Sequence, residues 1–339
     1  MRQITLINPE KFEMKNVEVP EPEFNEIQIK VKYIGICGSD IHAYFGKHPF
    51  ISCPITLGHE FVGTISKLGK NVEGFKIGDI VTAMPQIYCG ECEPCKEGRY
   101  NICDKLLVIG CQSVGASSDY FTFDASIAKK FPADFDFKTA VMAEPVAVGV
   151  HAVSLIDSLD SKNVVVLGSG TIGNVTAQAA IAQGAKNVLI TDISDEKLEI
   201  AKKCGIQYCV NTLKEDLAEQ INYYFGEKAD VFIECVGIGA TINQAIKLSK
   251  KGRDIIVLGV FEDNADIEMG LVQDKELRLI GSLMYIEKDF DLAIKYLVDG
   301  TINTEPMITD VLPFEDYEKA FSNKAKQSDI NMKTLIKVD

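Results

Sequence analysis

Four cysteines have the most specific spacing of any residues in this sequence. They are Cys89, Cys92, Cys95 and Cys103, which gives the pattern C-x2-C-x2-C-x7-C. Thiolates at such short spacings converge on one tetrahedral ion, and four sulfur ligands leave no open position on that ion. The cluster therefore predicts a closed structural zinc site. An iron–sulfur cluster and disulfide bonds are the alternatives that use the same residue type.

A glycine-rich segment in the middle of the chain has the pattern of a dinucleotide-binding turn. Its sequence, G-S-G-T-I-G, follows an apolar run at 163–167 and opens a helical segment. Glycines at these positions allow a tight turn and let backbone amides approach a pyrophosphate, which the positive end of the helix dipole also favours. The residues predicted to bind the dinucleotide are Gly168, Gly170, Thr171, Ile172 and Gly173.

One acidic residue indicates which dinucleotide is expected. Asp192 ends the next apolar run, 19 residues after Gly173. A carboxylate at this position accepts hydrogen bonds from both hydroxyls of the adenosine ribose and repels the 2′-phosphate of NADP. The predicted cofactor is therefore NAD. The alternative is a tight structural turn followed by an aspartate that caps a helix.

The elements that must position these residues differ between two parts of the chain. Short strands with turn residues dominate the first 150 residues, as in the segment 26–36, where apolar and polar side chains alternate. From residue 162 onward, short apolar runs alternate with helical segments, which is the pattern of parallel βαβ units. The predicted fold class is therefore α/β, with a Rossmann-type doubly wound parallel sheet beside a β-rich domain.

The two predicted domains are not consecutive halves of the chain. Residues 153–287 form the dinucleotide-binding domain. The remaining tail is too short to be a domain, so residues 288–339 are placed with residues 1–152. The four-cysteine lobe belongs to this first domain and covers about residues 86–105.

Charge and composition exclude several classes of partner. The 339 residues include 49 acidic and 35 basic side chains, so the net charge is −14. A polyanion repels phosphate backbones, so nucleic acid is not an expected partner. No apolar run is long enough to span a membrane, and the N-terminus lacks the apolar core of a signal peptide. The expected location is the cytoplasm, where disulfides rarely persist.

A cysteine, a histidine and two glutamates, far apart in the sequence, become informative only together. They are Cys37, His59, Glu60 and Glu144. Taken singly, they also fit a buried thiol, a hydrogen-bonded imidazole and acids in a turn or a first helical turn. With the pattern G-H-E-x2-G-x5-G-x2-V at 58–72, however, the chain resembles the zinc-containing medium-chain alcohol dehydrogenases. The resemblance is to the polyol branch around sorbitol dehydrogenase, and it covers essentially the whole chain.

The resemblance implies two zinc ions per chain and a GroES-like fold for the β-rich catalytic domain. It implies that Cys37, His59 and Glu60 bind the catalytic zinc, with an open fourth position for water and Glu144 near or on the metal. Asp40 is then expected to bond the distal nitrogen of the His59 imidazole and fix its orientation. The four clustered cysteines take the role of the structural site.

The resemblance also implies roles around the cofactor and the reacting hydroxyl. Ser39 takes the proton of the alcohol and passes it through the cofactor ribose to His42. Lys197 reaches the adenosine ribose. The nicotinamide pocket is lined by Val236, Val260 and Leu283.

The implied reaction is the reversible oxidation of a secondary hydroxyl to a ketone, with NAD as hydride acceptor. The small-molecule substrate is expected to be a polyol, a polyol phosphate or a sugar acid. Met284 stands where sorbitol dehydrogenases typically have an arginine, which argues against sorbitol itself. An amino-alcohol dehydrogenase of the threonine type, a zinc-free quinone reductase and a non-catalytic redox sensor are the alternatives. A homodimer or homotetramer is expected.

The remaining cysteines and histidines have no predicted chemistry. Buried free thiols are expected at five scattered positions, Cys53, Cys111, Cys204, Cys209 and Cys235. His48 is expected in a loop and His151 in a packed helix. Tyr44, close to the first predicted zinc ligand, fits either a substrate contact or a core tyrosine.

Overall fold

The computed structural model describes residues 1–326 and 331–339. By their internal contacts these residues form two compact units. The first comprises Met1–Glu144, Leu297–Asp299 and Ile308–Asp339, and the second comprises Pro145–Tyr296 and Gly300–Met307. The domain boundaries stated above stay a prediction, because a unit defined by contacts need not coincide with a domain that folds by itself.

The first part of the chain contains short strands and a few helices. The strands are β1 (Arg2–Asn8), β2 (Lys11–Asn16), β3 (Glu26–Gly35), β4 (Glu60–Leu68), β5 (Ile80–Ala83), β6 (Gln86–Ile87), β7 (Leu107–Val108), β8 (Tyr120–Asp124) and β9 (Ala128–Lys130). The helices are α1 (Gly38–Tyr44), α2 (Glu93–Lys96), α3 (Phe137–Ala140) and α4 (Ala143–Ser154). Further 3₁₀ turns lie at Tyr100–Ile102 and Ala125–Ile127.

Strands and helices then alternate. They are β10 (Asn163–Leu167), α5 (Thr171–Ala182), β11 (Asn187–Asp192), α6 (Asp195–Lys203), β12 (Tyr208–Asn211), α7 (Leu217–Phe225), β13 (Val231–Glu234), α8 (Gly239–Leu248), β14 (Asp254–Val257), α9 (Met269–Asp274) and β15 (Arg278–Gly281). The chain ends with α10 (Glu287–Val298), β16 (Ile308–Pro313), α11 (Tyr317–Lys326) and β17 (Lys333–Lys337), with 3₁₀ turns at Glu305–Met307 and Phe314–Asp316.

The second unit is built on a parallel six-stranded sheet. Its strand order is β12-β11-β10-β13-β14-β15, so the chain reverses its direction of winding between β12 and β13. All five residues of β10 are buried, as expected for a central strand covered on both faces. The predicted doubly wound parallel sheet is therefore confirmed. The turn after β10 lies at the carboxyl edge, beside the point where the strand order reverses, which is where such sheets bind ligands.

The first unit is built on a mixed sheet in which β3 is central. The order is β16-β17-β3-β4-β5-β9, and β8 also pairs with β3. Strands β3 and β4 are antiparallel, with Gly35 opposite Glu60. Strand β17 is antiparallel to the other edge of β3, with Leu335 opposite Gly35. This register brings the end of β3, the start of β4 and the start of β17 together at one end of the sheet, although they are remote in sequence.

None of the described residues forms a helix long and apolar enough to cross a membrane.

Candidate active site

The four clustered cysteines converge in a lobe of the first unit. The Sγ atom of Cys103 lies 3.5 Å from that of Cys89 and 3.8 Å from that of Cys92, and all four sulfurs lie within 4.8 Å of one another. Zinc–sulfur bonds of about 2.3 Å in a tetrahedron separate the sulfurs by about 3.8 Å, whereas a disulfide bond is about 2.0 Å long. All the cysteines are free thiols in the structure. The donor set fits one four-coordinate ion.

Backbone amides in this lobe point at the sulfur atoms. The Sγ of Cys89 accepts N–H groups of Glu91 and Cys92, both at 3.4 Å. These hydrogen bonds lower the pKa of Cys89 to about 6, whereas desolvation and the adjacent thiols raise the pKa of Cys95 to about 12. Four thiolates this close repel one another unless a cation neutralises them, so the lobe is suited to hold a metal ion.

A second possible metal site lies at the end of the sheet described above. Its ligand atoms belong to Cys37, which caps α1 directly after β3, and to His59 and Glu60 at the start of β4. All three lie within 4.8 Å of one another. One thiol, one imidazole and one carboxylate are the mixed donors of a zinc site that keeps a position open. The structure thus brings together three of the four predicted ligands.

Glu144 is the fourth predicted ligand, and the structure does not place it in that group of ligand atoms. It lies in the first turn of α4 and is 6% exposed. Its charge acts on the buried Lys333, so it belongs to the same region of the first unit. Its role on or near the metal stays a prediction.

Asp40 lies directly behind the imidazole of His59. Its Oδ2 accepts the backbone N–H of Cys37 at 2.9 Å, and its Oδ1 is 3.6 Å from His59 Nδ1. The predicted hydrogen bond is therefore a longer electrostatic contact in this structure. Burial lowers the pKa of His59, but the Asp40 carboxylate and the nearby thiols of Cys111 and Cys37 outweigh it and raise that pKa well above its usual value. With Nδ1 turned towards Asp40, Nε2 is the nitrogen left to bind a metal.

Cys111 lies next to His59, a position that the sequence did not indicate. Its thiol was expected to be buried and inert, and it is buried, but it lies beside the His59 imidazole. His48, expected in a loop, is also close to the site, because His42 and His59 add to partial burial in lowering its pKa. Its Nδ1 accepts the N–H of Phe50 at 3.2 Å.

Lys333 is another residue of this site that the sequence did not indicate. Its Nζ lies 2.7 and 2.6 Å from the two carboxylate oxygens of Glu60, and both side chains are buried. The Nζ also donates to the Ile36 carbonyl at 3.3 Å. Burial lowers the pKa of Lys333, but the charges of Glu60 and Cys37 raise it above its usual value. A lysine directly before the run Thr-Leu-Ile was the available signal, since a lysine at the start of a buried strand needs a buried partner.

The predicted proton relay lies on α1. Ser39 and His42 are three residues apart on this helix, so their side chains share a face. Tyr44, at the end of the same helix, is buried and stacks on Phe12 with ring centroids 5.4 Å apart, which makes it a core tyrosine. His151 is buried in the second unit, where its Nδ1 is 2.6 Å from Asp289 Oδ2.

The glycine-rich turn has the geometry that a pyrophosphate requires. Gly168 directly follows β10 and has φ of 95°, and Gly170 precedes the first residue of α5. A side chain on Gly173 would overlap the carbonyl oxygen of Gly168, so the helix starts in direct contact with the turn. The amides at the N-terminus of α5, including those of Thr171 and Ile172, then face the carboxyl edge of the sheet.

Asp192 is fixed at the same edge by backbone amides. Its Oδ2 accepts the N–H of Ser169 at 2.8 Å, and its Oδ1 accepts those of Ile193 and Ser194 at 2.9 and 3.0 Å. Lys197 Nζ is 4.0 Å from Oδ1. A carboxylate has about four acceptor positions, so capacity remains for a ribose hydroxyl.

The three predicted nicotinamide contacts lie at the carboxyl ends of neighbouring strands of the same sheet. Val236 follows β13, Val260 follows β14 and Leu283 follows β15, and all three side chains are exposed. A further residue, Glu234, orders the first of these loops. Its buried carboxylate accepts the N–H groups of Val236 and Gly237 at 2.8 and 2.9 Å. These side chains are therefore available at the edge where a bound dinucleotide extends.

A parallel sheet with a dinucleotide turn, together with two sets of zinc-type donors, defines the class of zinc-dependent dehydrogenases. Comparisons with known proteins agree. Residues 23–133 match the family model of the alcohol dehydrogenase GroES-like domain, and residues 171–299 match that of the zinc-binding dehydrogenases.

Individual relatives extend this agreement over nearly the whole chain. The 2-dehydro-3-deoxy-L-galactonate 5-dehydrogenase of Pseudoalteromonas atlantica is 34% identical over 304 residues, which is 89% of each chain. The D-arabitol-phosphate dehydrogenase of Enterococcus avium is 34% identical and covers 94% of this chain and 92% of its own. A Sinorhizobium meliloti protein, described as a candidate zinc-binding dehydrogenase and bound to NADP, superimposes with a TM-score of 0.93 at 30% identity, covering 99% of each chain. The chain belongs to the zinc-dependent medium-chain alcohol dehydrogenases, among the zinc-type polyol dehydrogenases.

Proposed function

We propose that the protein reversibly oxidises a secondary hydroxyl of a polyol, a polyol phosphate or a sugar acid to a ketone, with NAD as the hydride acceptor. The observation that carries this proposal is the convergence of Cys37, His59 and Glu60 in a chain that also has the dinucleotide turn ending at Asp192. A non-catalytic dinucleotide-binding sensor has no use for such a donor set. The two-zinc content is part of the proposal.

When bound, zinc would supply the Lewis-acid chemistry that lowers the pKa of a substrate hydroxyl, and NAD would supply the hydride acceptor. Cys37, His59 and Glu60 would hold the metal, and the 3.6 Å contact of Asp40 with Nδ1 would favour one orientation of the His59 imidazole. Ser39 accepts the proton of the substrate hydroxyl, and His42, on the same face of α1, passes it towards solvent. Glu144 is placed near the metal in this proposal.

The choice of NAD rests on Asp192. Its carboxylate is held in place by three backbone amides at the edge where the adenosine ribose would bind. A 2′-phosphate would bring a second negative charge next to it. The related structure from Sinorhizobium meliloti is bound to NADP, so the proposal is tested by measuring both cofactors with this chain.

The substrate class rests on the relatives and on one residue of this chain. One relative is named for a sugar acid and another for a polyol phosphate. Met284, in a left-handed conformation with φ of 48°, occupies the loop after β15 in place of the arginine of sorbitol dehydrogenases. We therefore place sugar acids and polyol phosphates ahead of sorbitol. Amino alcohols of the threonine type are the second candidate.

A substrate panel tests the proposal directly. Polyols, polyol phosphates, sugar acids and threonine are each offered with NAD and with NADP, and NADH or NADPH absorbance is followed. Zinc content is measured on the same preparation, with Cys37→Ser as the matched inactive variant. Activity confined to simple primary alcohols, or a Cys37→Ser variant as active as the wild type, would overturn it.

The cytoplasmic location and the homodimeric or homotetrameric state are further parts of the proposal. The strand β15 forms one edge of the parallel sheet, and its Leu279 is 36% exposed, which supports pairing of two copies along this edge. The apparent mass in solution tests the oligomeric state.

A further inference from the structure

The turn that carries His59 is held by unusually close backbone packing. Gly58, directly before it, has φ of 101°, and a side chain there would approach Ser117 Oγ to 2.9 Å. A side chain on Gly110 would approach the Gly58 carbonyl carbon to 2.8 Å, and one on Gly115 would overlap the carbonyl oxygen of Leu57. The backbone at 56–58 therefore lies directly against the segment 110–117.

Hydrogen bonds fix the two segments in one register. The amides of Gly115, Ala116 and Ser117 donate to the carbonyls of residues 56, 58 and 57 at 2.8, 2.9 and 3.1 Å. The segment 115–117 thus supports the turn at 56–58, which directly precedes His59. Its own position depends on what holds Ser117.

Tyr317 holds Ser117 from the far end of the chain. The two hydroxyl oxygens are 2.7 Å apart, Ser117 is fully buried and Tyr317 is 2% exposed. The tyrosine ring is itself fixed by Phe12, with centroids 5.2 Å apart, and by Phe321, with centroids 5.3 Å apart. The surrounding packing therefore holds the two hydroxyl groups against each other.

The charges of the Asp40–His59 pair act on the Tyr317 hydroxyl. The charge of Asp40 adds to burial in raising the pKa of Tyr317, and the charge of His59 acts in the opposite direction. Asp40 Oδ1 and His59 Nδ1 make no hydrogen bond in the structure, so their mutual placement depends on the backbone that carries them.

We propose that Tyr317 is a positioning residue for His59, acting through Ser117 and the turn at 56–58. The hydroxyl pair keeps the turn in the position from which the imidazole faces Asp40 with one nitrogen and the metal with the other. The inference rests on the proposed metal site. Tyr317 and Lys333, both from the C-terminal part of the chain, would then support the residues that bind the metal.

The test measures metal binding rather than turnover. Metal-free protein is titrated with cobalt(II), and its visible spectrum is recorded. Each protein is compared with a second version that also carries Cys37→Ser, and the difference between the two spectra is assigned to the catalytic site. The variants are Tyr317→Phe, which keeps the ring, Ser117→Ala, and the double variant. Ser66→Ala is the matched control. Ser66 also donates its hydroxyl to another side chain, Gln28, at 2.6 Å, but it lies near the end of β4, away from the turn that carries His59.

We expect each single variant to weaken cobalt binding at this site about 10-fold and to shift its spectrum, as for other groups that orient a metal ligand. The double variant should be no weaker than either single one, because both remove the same bond. Ser66→Ala should leave affinity and spectrum unchanged. If Tyr317→Phe does not fold, Ser117→Ala alone carries the test.

Unchanged affinity and spectrum in Tyr317→Phe and Ser117→Ala, with only a lower melting temperature, would overturn the inference. Additive losses in the double variant would overturn it as well, because they would show two separate effects. A wild-type protein without the difference spectrum would overturn the proposed metal site itself, which separates the two failures.

Discussion

Lys333 binds both carboxylate oxygens of Glu60, at 2.7 and 2.6 Å, in a fully buried ion pair. Glu60 is also one of the three residues whose ligand atoms converge at the candidate catalytic site. The carboxylate therefore has two possible partners, the ammonium group and a metal ion. Since the ammonium group occupies both oxygens, Lys333 reduces the tendency of Glu60 to close the coordination shell, and an open position is what catalysis requires.

Replacing Lys333 with methionine should strongly destabilise the protein. Removal of one partner leaves a buried carboxylate without compensation, which typically costs about 3–5 kcal/mol. The measurement is the free energy of unfolding by urea. Lys67→Met is the matched control, because Lys67 pairs with Glu21 at an exposed position, where ion pairs contribute about 1 kcal/mol or less.

Adding Glu60→Gln to Lys333→Met should recover part of the lost stability, because the unpaired charge is then gone. The single variant should also bind zinc more tightly at the catalytic site, since Glu60 is released to the metal. Lys333→Met with the stability of the wild type would contradict the buried pair.

Local patterns in the sequence were sufficient to predict one part of the molecule. The apolar strand β10, the glycine turn, α5 and Asp192 all lie within 30 residues, so spacing alone defines their arrangement. The four cysteines lie within 15 residues for the same reason. Where chemistry depends on neighbours in sequence, residue type and periodicity carry the information.

The support of the catalytic site could not be predicted in this way. Lys333 is 273 residues from Glu60, and Tyr317 is 200 residues from Ser117. Their contacts depend on β17 pairing with β3 and on α11 packing over the same sheet, and register between distant strands is not encoded in either strand alone. The place of Cys111 beside His59 depends likewise on the packing of Gly110 against Gly58.

Cys103→Ser should remove one of the two proposed zinc ions and loosen the lobe around it. Cys103 Sγ lies within 4 Å of two other cysteine sulfurs, so its loss breaks the four-coordinate set. Metal analysis gives the stoichiometry, and limited proteolysis shows whether cleavage concentrates in the lobe at about residues 86–105. Cys53→Ser, outside both clusters, should change neither result. An unchanged zinc content in Cys103→Ser would contradict the assignment.

Acid should weaken the attachment of the C-terminal strand. Lys32 and Lys30 lower the pKa of Asp339 to about 2. Because the folded-state pKa is below that of the unfolded chain, the stability from this contact is present above about pH 4 and is lost as the pH falls towards 2. The urea midpoint of Asp339→Asn should therefore lie below that of the wild type at pH 5, and the difference should shrink as the pH falls from 4 towards 2.

The exposed position of Asp339 provides the control. Its side chain is 40% exposed, so 1 M salt should screen the contact and reduce the difference at pH 5. A difference that stays constant from pH 5 to pH 2 would indicate packing rather than charge.

Asp192→Asn should change the choice of cofactor. Asparagine has nearly the same shape as aspartate, and its Oδ1 can still accept the N–H groups of Ile193 and Ser194. It lacks the negative charge that opposes a 2′-phosphate. A charge-assisted hydrogen bond to the ribose contributes about 1.5–3 kcal/mol, so kcat/KM for NAD should fall about 10- to 100-fold. The value for NADP should rise.

The ratio of the two kcat/KM values separates this effect from damage to the turn. Asp192→Asn also weakens the contact with the Ser169 amide at 2.8 Å, and a damaged turn would lower both values together. Asp195→Asn is the control, because Asp195 pairs with Lys214 on the surface of α6 and has no place in the proposed cofactor site. A wild-type protein that prefers NADP, or a variant with an unchanged ratio, would show that Asp192 does not select the cofactor.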